Sequence, residues 1–444
     1  MSGPAARILS RAAGSPLVRG GLTIGAGIIL GNLTGFLRVA LTAYLLGTHS
    51  TADSLAVAIG PLDTLNAILI NSFVFAFVPM LTERRGAGRA ALFVKLNRFF
   101  FRLLLVLTAA VILFTPWLIR VLAPGLDPAG YPAAEWNLRL SALSILAVGA
   151  GAVRSALLYT DRRFAPSAFY QVSLNICTIL SAVVFWRVLG VQSFALGYAA
   201  GAWVQFVILW AAVRRSHSFH GLPESPVTWR EMAGRPAYIL VYSGLVALNV
   251  IFSRAYSTAA GPGMAAALDY TMRCIGVPLA FLVMPVSNSL LPEIARLRSL
   301  DRIREAFRLI DKTTALVALA AVAGTAAGVA FRRPIIALLF ERGSFTAEST
   351  QLVSAVFLGF APSLIGWSLL ELTSRTLFAL DQPWLPVLAS ALPVAVNVAV
   401  SLSLRLLDPR FIGLGASLGF LAGFFVLIVL ARIQRARRLT AGMN

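Results

Sequence analysis

The sequence predicts an all-α polytopic membrane protein of about twelve transmembrane helices, built as two six-helix lobes related by a parallel repeat around a central cavity. Three observations predict it. Of 444 residues, 58% are hydrophobic and only 13% charged, with a mean hydropathy of +0.81, whereas soluble domains are about half apolar and about a quarter charged. Apolar runs of the ~20 residues that a spanning helix needs recur along the whole chain. Short motifs also recur at a spacing close to half the chain length.

The runs fall at 21–47, 54–80, 99–123, 136–160, 165–189, 192–214, 237–258, 264–292, 313–340, 350–380, 383–406 and 412–433. The first follows a basic leader with no small-residue cleavage site, so it reads as an uncleaved anchor. Six runs give an N-terminal lobe, 1–215. The polar stretch SHSFHGLPESPVTWREMAGRP, 216–236, reads as a cytoplasmic connector, and the last six runs give a C-terminal lobe, 237–444. Between the eighth and ninth runs, EIARLRSLDRIREAFRLIDK (293–312) places Leu297, Leu300, Ile303, Phe307 and Ile310 at helical spacing among basic residues. That pattern predicts an interfacial helix on the cytoplasmic surface.

The net charge of +20 raises the question of a nucleic-acid partner. Its distribution decides against one. With the N-terminus inside, the inner segments carry 25 basic residues and the outer ones eight, which is the positive-inside pattern and puts both termini in the cytoplasm. No basic patch interleaved with aromatic residues argues otherwise. The two cysteines, Cys177 and Cys274, both lie within spans and imply no disulfide framework.

Four ordered matches suggest an internal duplication. Arg38 and Asp53 are 15 residues apart, as are Arg254 and Asp269, at an offset of 216. FVP ending at Pro79 matches LLP ending at Pro292 at an offset of 213. LYTDRRFAP (158–166) matches FALDQPWLP (378–386) at 220, aligning Asp161 with Asp381 and Pro166 with Pro386; Arg154 and Arg375 precede those acids by seven and six residues. Six spans per half is an even number, so the halves share one orientation, as in transporters that rock one half against the other.

Enzyme chemistry finds little support. Neither lysine, Lys95 or Lys312, follows a glycine-rich loop, so no P-loop is present. The histidines His49, His217 and His220 have no metal-ligand spacing, and no cofactor is called for. GASLG (415–419) fits a nucleophile-elbow pattern but lies inside the last span, where small residues serve helix packing.

What remains are charges within the spans: Arg38, Asp63, Arg154, Arg254, Arg273, Glu371 and Arg375, with Asp53 and Asp269 near outer ends. Ionised groups cost ~3 kcal/mol or more at a bilayer centre, so they face a partner or a wet cavity. Arg38, Arg254 and Arg273 fall in the outer halves of spans 1, 7 and 8. Clustered guanidinium groups suit a phosphate or pyrophosphate, which they bind bidentately. The other reading makes Arg38–Asp53 and Arg254–Asp269 ion pairs that lock helices together. Arg273 has no counterpart in the first half, where Val57 stands. Asp63 and Glu371 lie near mid-span and are candidate proton or cation carriers, or else carboxylates held by a nearby arginine. Asn71, Asn175, Asn249, Asn288 and Asn397 read by default as interhelical hydrogen-bonding groups.

Several stretches together resemble the MurJ/MviN family of lipid II flippases, within the multidrug/oligosaccharidyl-lipid/polysaccharide exporter superfamily. They are LLFERGSFTAEST (338–350), VLAPGLDP (121–128), RRFAPSAFYQVSLNI (162–176), TAAGPGMAAALDYTMR (258–273) and LLPEIAR (290–296), with GFLR (35–38), TAD (51–53) and FVPML (77–81) in the first half. The resemblance covers roughly 20–435 and implies that Arg38, Asp53 and Arg273 stand where the family has functional charges in its cavity. The chain departs from the family at Asn32, Leu65, Asn66, Ser253 and Gly276, where family members carry charges, and Asp63 and Glu371 look like additions. Family members commonly have fourteen spans, two more than this chain.

The resemblance implies a non-enzymatic flippase in the bacterial cytoplasmic membrane that moves lipid II by alternating access. Its partners would be the lipid-linked glycan pyrophosphate, membrane lipids and cell-wall synthesis proteins. On this reading Arg38, Arg254 and Arg273 bind the pyrophosphate while Asp53 and Asp269 position them. Transport would couple to the membrane potential or to a monovalent cation, with Asp63 and Glu371 as carriers. Three alternatives stay open: a flippase for another polyprenyl-pyrophosphate-linked oligosaccharide, a cation-coupled multidrug exporter, and a scaffold for wall synthesis that does not transport.

Overall fold

The computed structural model describes residues 16–217, 219, 227–300, 302–380, 382, 384–404 and 412–441. Among them the regular structure is helical throughout. The helices are α1 (Pro16–Leu46), α2 (Ser50–Thr82), α3 (Gly86–Leu113), α4 (Thr115–Leu122), α5 (Tyr131–Thr160), α6 (Ala165–Ala168), α7 (Tyr170–Leu189) and α8 (Gln192–Ser216). There follow α9 (Trp229–Thr258), α10 (Met264–Ser299), α11 (Ile303–Ala330), α12 (Arg332–Phe340), α13 (Ala347–Phe360), α14 (Ser363–Ala379), α15 (Trp384–Leu404) and α16 (Leu414–Ala441).

Every predicted span has its helix. Ten are long and apolar enough to cross a membrane, and α13 with α14, bent by 46°, makes an eleventh; α9 occupies the predicted seventh span. The fifth span has a short first turn, α6, set off from α7 at Phe169; three further spans are broken, which hydropathy alone does not reveal. The third divides at Phe114 into α3 and α4, the ninth at Phe331 into α11 and α12, and the tenth between α13 and α14. Proline stands at each of these three breaks: Pro116 and Pro334 in the first turns of α4 and α12, and Pro362 just before α14. There the missing N–H costs nothing, whereas continuing the preceding helix would force a clash.

The expected interfacial helix at 293–312 is not a separate element. Its first part is the end of α10 and its second part the start of α11, with the chain turning around Leu300 and Arg302. Of its apolar positions Leu297, Phe307 and Ile310 are buried, Ile303 is half-buried and Leu300 is exposed. Asp381, matched to Asp161 in sequence, and the side chain of Asn288 lie outside the described residues.

The chain forms two compact units. The described parts of 1–41, 58–119 and 131–237 make the first, and those of 42–57, 120–130 and 238–444 the second. Within the first unit α3 packs on α5, α5 on α8, and α8 on α7. Within the second, α11 packs on α14, α14 on α16, and α16 on α15. In span numbers both read third on fourth, fourth on sixth and sixth on fifth, so the duplication extends to packing. Glycine makes the last contact close in both. A Cβ at Gly197 or Gly201 would lie 2.6–2.7 Å from backbone atoms of α7, and one at Gly415 or Gly419 would lie 2.5 Å from atoms of α15. GASLG is therefore a helix-packing motif.

At one end of the first unit, Asp161 is a hub. Its carboxylate accepts from Arg89 Nη1 at 3.1 Å and lies 3.1 Å from His217 Nε2, while Arg89 Nε also donates to the carbonyls of Leu81 and Arg84. Three connecting segments are thereby tied together. Asp161→Ala should lower stability by about 1–2 kcal/mol, read as an earlier thermal unfolding transition in detergent.

Candidate functional site

Hairpin geometry decides which charges meet. In the second unit Arg254 and Asp269 lie seven residues before and eight after the middle of the 259–263 turn, and Arg254 Nε donates to Asp269 Oδ1 at 2.7 Å. In the first hairpin the turn centres on Thr48, so Arg38 lies ten residues before it and Asp53 five after it. Relative to the other pair, Arg38 is about 4.5 Å deeper and Asp53 about as much shallower, at 1.5 Å per residue. Equal spacing in sequence thus does not mean equal placement in the two hairpins.

Arg38 instead donates through Nη2 to Asp63 Oδ2 at 2.8 Å, within the first unit. Its guanidinium also lies over the ring of buried Tyr198, 5.8 Å from the centroid. Asp63 is thus a carboxylate held by an arginine. Asn66, where a family charge is missing, donates to Ser144 Oγ at 2.9 Å and Tyr198 Oη at 3.0 Å, buried beside that pair.

Asp53 does something the sequence reading did not foresee. It belongs to the second unit and accepts from the backbone amides of Gly263 at 2.6 Å and Ala266 at 2.8 Å. The α10 N-terminus has no side-chain cap of its own, and its unsatisfied amides and positive dipole end attract a carboxylate. Asp53 therefore caps a helix, and the expectation that it positions an arginine is corrected. Neighbouring contacts fix the same tip: Tyr270 Oη donates to the Gly47 carbonyl at 2.7 Å, and Ser344 N to the Tyr44 carbonyl at 2.8 Å. Gly263 has φ +80°, and a Cβ there would lie 2.1 Å from the Thr48 carbonyl oxygen.

In the second unit Arg273 lies four residues beyond Asp269, on the same face of α10. Arg254 is 8% exposed, and Asp53 of the same unit brings a second carboxylate into electrostatic range of Asp269. Glu371, the other candidate carrier, accepts from Arg375 Nε at 2.7 Å and Tyr242 Oη at 2.9 Å. Arg154 meets neither Asp161 nor any other described carboxylate. It donates to Asn97 Oδ1 at 2.9 Å and the Ala150 carbonyl at 2.8 Å, beneath the ring of Phe206 at 4.6 Å.

Of the asparagines expected to join helices, Asn175, Asn249 and Asn397 do so, while Asn71 does not. Asn175 donates from α7 to the Gly31 carbonyl of α1 at 3.1 Å, and Asn71 is exposed. Asn397 donates to Asn249 Oδ1 at 2.7 Å and Ser253 Oγ at 2.9 Å, and accepts from Ser401 Oγ at 3.0 Å. This fully buried knot joins α9 to α15. Asn397→Ala should cost about 2–3 kcal/mol, measured as loss of thermal stability, because it strands several polar groups.

The sequence of this chain matches a family model described as lipid II flippase MurJ over residues 42–442. The chain belongs to the lipid II flippase MurJ family. A MurJ relative from Rhizobium meliloti (strain 1021), named as a probable lipid II flippase, is 27% identical over 405 residues, covering 87% of this chain and 75% of its own. A solved lipid II flippase MurJ in an inward closed conformation superposes with a TM-score of 0.81 at 18% identity, over 93% of this chain and 87% of that one. An inward-facing multidrug resistance transporter of the MATE family, in the MOP superfamily, gives 0.79 at 11% identity over 91% and 95%. These two structures bear on fold alone. The predicted helical, two-lobe architecture is the fold this chain shares with both.

Proposed function

We infer that this MurJ family member moves lipid II from the inner to the outer leaflet of the bacterial cytoplasmic membrane by alternating access, with both termini in the cytoplasm. The family match across 42–442 carries the reading. Arg254 and Arg273 in the second unit and Arg38 in the first take the pyrophosphate oxygens. Support comes from two arginines, Arg254 and Arg273, kept within the consecutive helices α9 and α10 of the second unit, since a cationic drug would favour carboxylates alone. Asp269 orients Arg254 and Asp63 orients Arg38.

Transport is driven by the membrane potential rather than by a cation carried on Asp63 or Glu371. Each of these carboxylates already has a guanidinium nitrogen within 2.8 Å. Glu371→Gln should therefore keep export within about threefold of wild type, since the two bonds from Arg375 and Tyr242 are weakened but no carried cation is lost. Collapsing the potential with an ionophore should stop export. Reconstituted vesicles loaded on one leaflet with labelled lipid II test both statements. Unchanged export without a potential contradicts the second, and export of cationic dyes in place of lipid II contradicts the function.

A further inference from the structure

The repeat matches Arg154 on α5 with Arg375 on α14, yet the two side chains are held differently. Arg154 is shut in: it is 8% exposed, lies beneath Phe206, and donates to Asn97 and the Ala150 carbonyl. Arg375 keeps 27% of its side chain exposed and is gripped from one edge only. Its Nε donates to Glu371 Oε1 at 2.7 Å, and Tyr242 Oη donates to Glu371 Oε2 at 2.9 Å. Both carboxylate oxygens are thus engaged. Nη1 and Nη2 of Arg375 have no acceptor among the described residues, and neither is buried. Asp269 grips Arg254 in the same way, through Nε at 2.7 Å.

A Glu–Arg pair four residues apart adds little to a solvated helix, too little to account for two ionised groups within a span. What Glu371 and Tyr242 do is fix a fork. With Nε occupied, the Nη1–Nη2 edge is free to bind two phosphate oxygens side by side. Trp367, Glu371, Arg375 and Phe378 form a half-buried stripe at helical spacing, so the fork lies on the accessible face of α14. On α9, Tyr242 precedes Arg254 by 12 residues, which is ~18 Å along the helix at ~1.5 Å per residue. Arg375 stands one turn before the end of α14 at Ala379. In the topology proposed above that end is cytoplasmic, so the second unit carries one oriented arginine towards each side of the membrane.

We propose that Arg375, fixed by Glu371 and Tyr242, is a second anion station that takes the substrate pyrophosphate near the cytoplasmic side, before Arg254 and Arg273 hold it further out. This role rests on the transport of lipid II proposed above and adds the residue that receives it. Arg375 is the substrate contact; Glu371 and Tyr242 are positioning residues.

Native mass spectrometry of the full chain, carrying Arg254→Ala and Asp269→Ala to silence the outer pair, tests this with a polyprenyl pyrophosphate and the polyprenyl alcohol of equal length. The pyrophosphate should bind more tightly than the alcohol. Adding Arg375→Gln with Glu371→Gln, which leaves no stranded carboxylate, should weaken the pyrophosphate about tenfold and the alcohol less than about twofold. A merely structural pair would weaken both alike. Thermal unfolding confirms that each variant is folded. In vesicles, with the chain otherwise wild type, the same two substitutions should raise the lipid II density for half-maximal export about tenfold. The maximal rate should change little, the sign of a lost binding contact. Unchanged pyrophosphate binding by the folded variant, or equal weakening of both ligands, overturns the proposal. Displacement of the bound lipid by equimolar inorganic pyrophosphate also overturns it, since the site would then serve a free anion. Selective weakening in a chain that exports no lipid II supports the anion station and contradicts only the substrate, so the two readings fail separately.

Discussion

Arg254→Ala is expected to lower lipid II export by about a hundredfold, the usual cost of truncating one partner of a buried, hydrogen-bonded charge pair. Two effects contribute, and they separate. Removing the guanidinium costs half-buried Asp269 the donor it holds at 2.7 Å, which destabilises the second unit by about 1–2 kcal/mol. It also removes a ligand for the pyrophosphate. Adding Asp269→Ala should restore most of the lost stability, because the stranded charge is gone, yet leave export at the level of the single variant. Arg254→Lys keeps the charge but loses the planar fork, so it should export poorly while folding well. Stability is read by thermal unfolding in detergent and export by labelled lipid II in vesicles. Full export by the double variant would reduce Arg254 to a structural role.

Asp53→Ala should be among the most destabilising single changes outside the apolar core. Two backbone amides at the start of α10, those of Gly263 and Ala266, lose their carboxylate acceptor. Neither finds a substitute in the preceding turn, which has no side-chain cap. Charge-assisted bonds at a helix N-terminus make a loss of about 2–4 kcal/mol reasonable. Asp53→Asn should fall between the two, because its oxygen still accepts one amide while its NH₂ opposes the other. The check is the unfolding midpoint of the three proteins. An Asp53→Ala protein as stable as wild type would mean that Asp53 does not secure this helix.

The spans were legible in the sequence because hydropathy over about 20 residues responds to the bilayer and not to tertiary detail. The breaks at Phe114 and Phe331 were less visible, since they occur within apolar runs and only Pro116 and Pro334 mark them. Spacing misled at Arg38 and Asp53. A shared interval of 15 residues looked like one device used twice, but the two turns are centred differently: Arg254 pairs with Asp269, while Arg38 pairs with Asp63. Partners distant in sequence, such as Arg38–Asp63 and Tyr242–Glu371, depend on helix rotation, which composition does not specify. One signal was present and unused. GYAAG at 197–201 and GASLG at 415–419 share a Gly-x-x-x-Gly spacing at an offset of 218, and both mark the close contact of the last two helices of a unit.

The central claim is that arginines in the spans carry lipid II across, and complementation tests it most directly. In a bacterial host depleted of its own lipid II flippase, this chain or its Arg273→Ala variant is expressed, and lipid II exposed on the outer leaflet is measured alongside the amount of inserted protein. Restored exposure by the wild-type chain, and none by an equally abundant variant, is the predicted result. Exposure restored equally by both, or by neither when both are inserted, would contradict it.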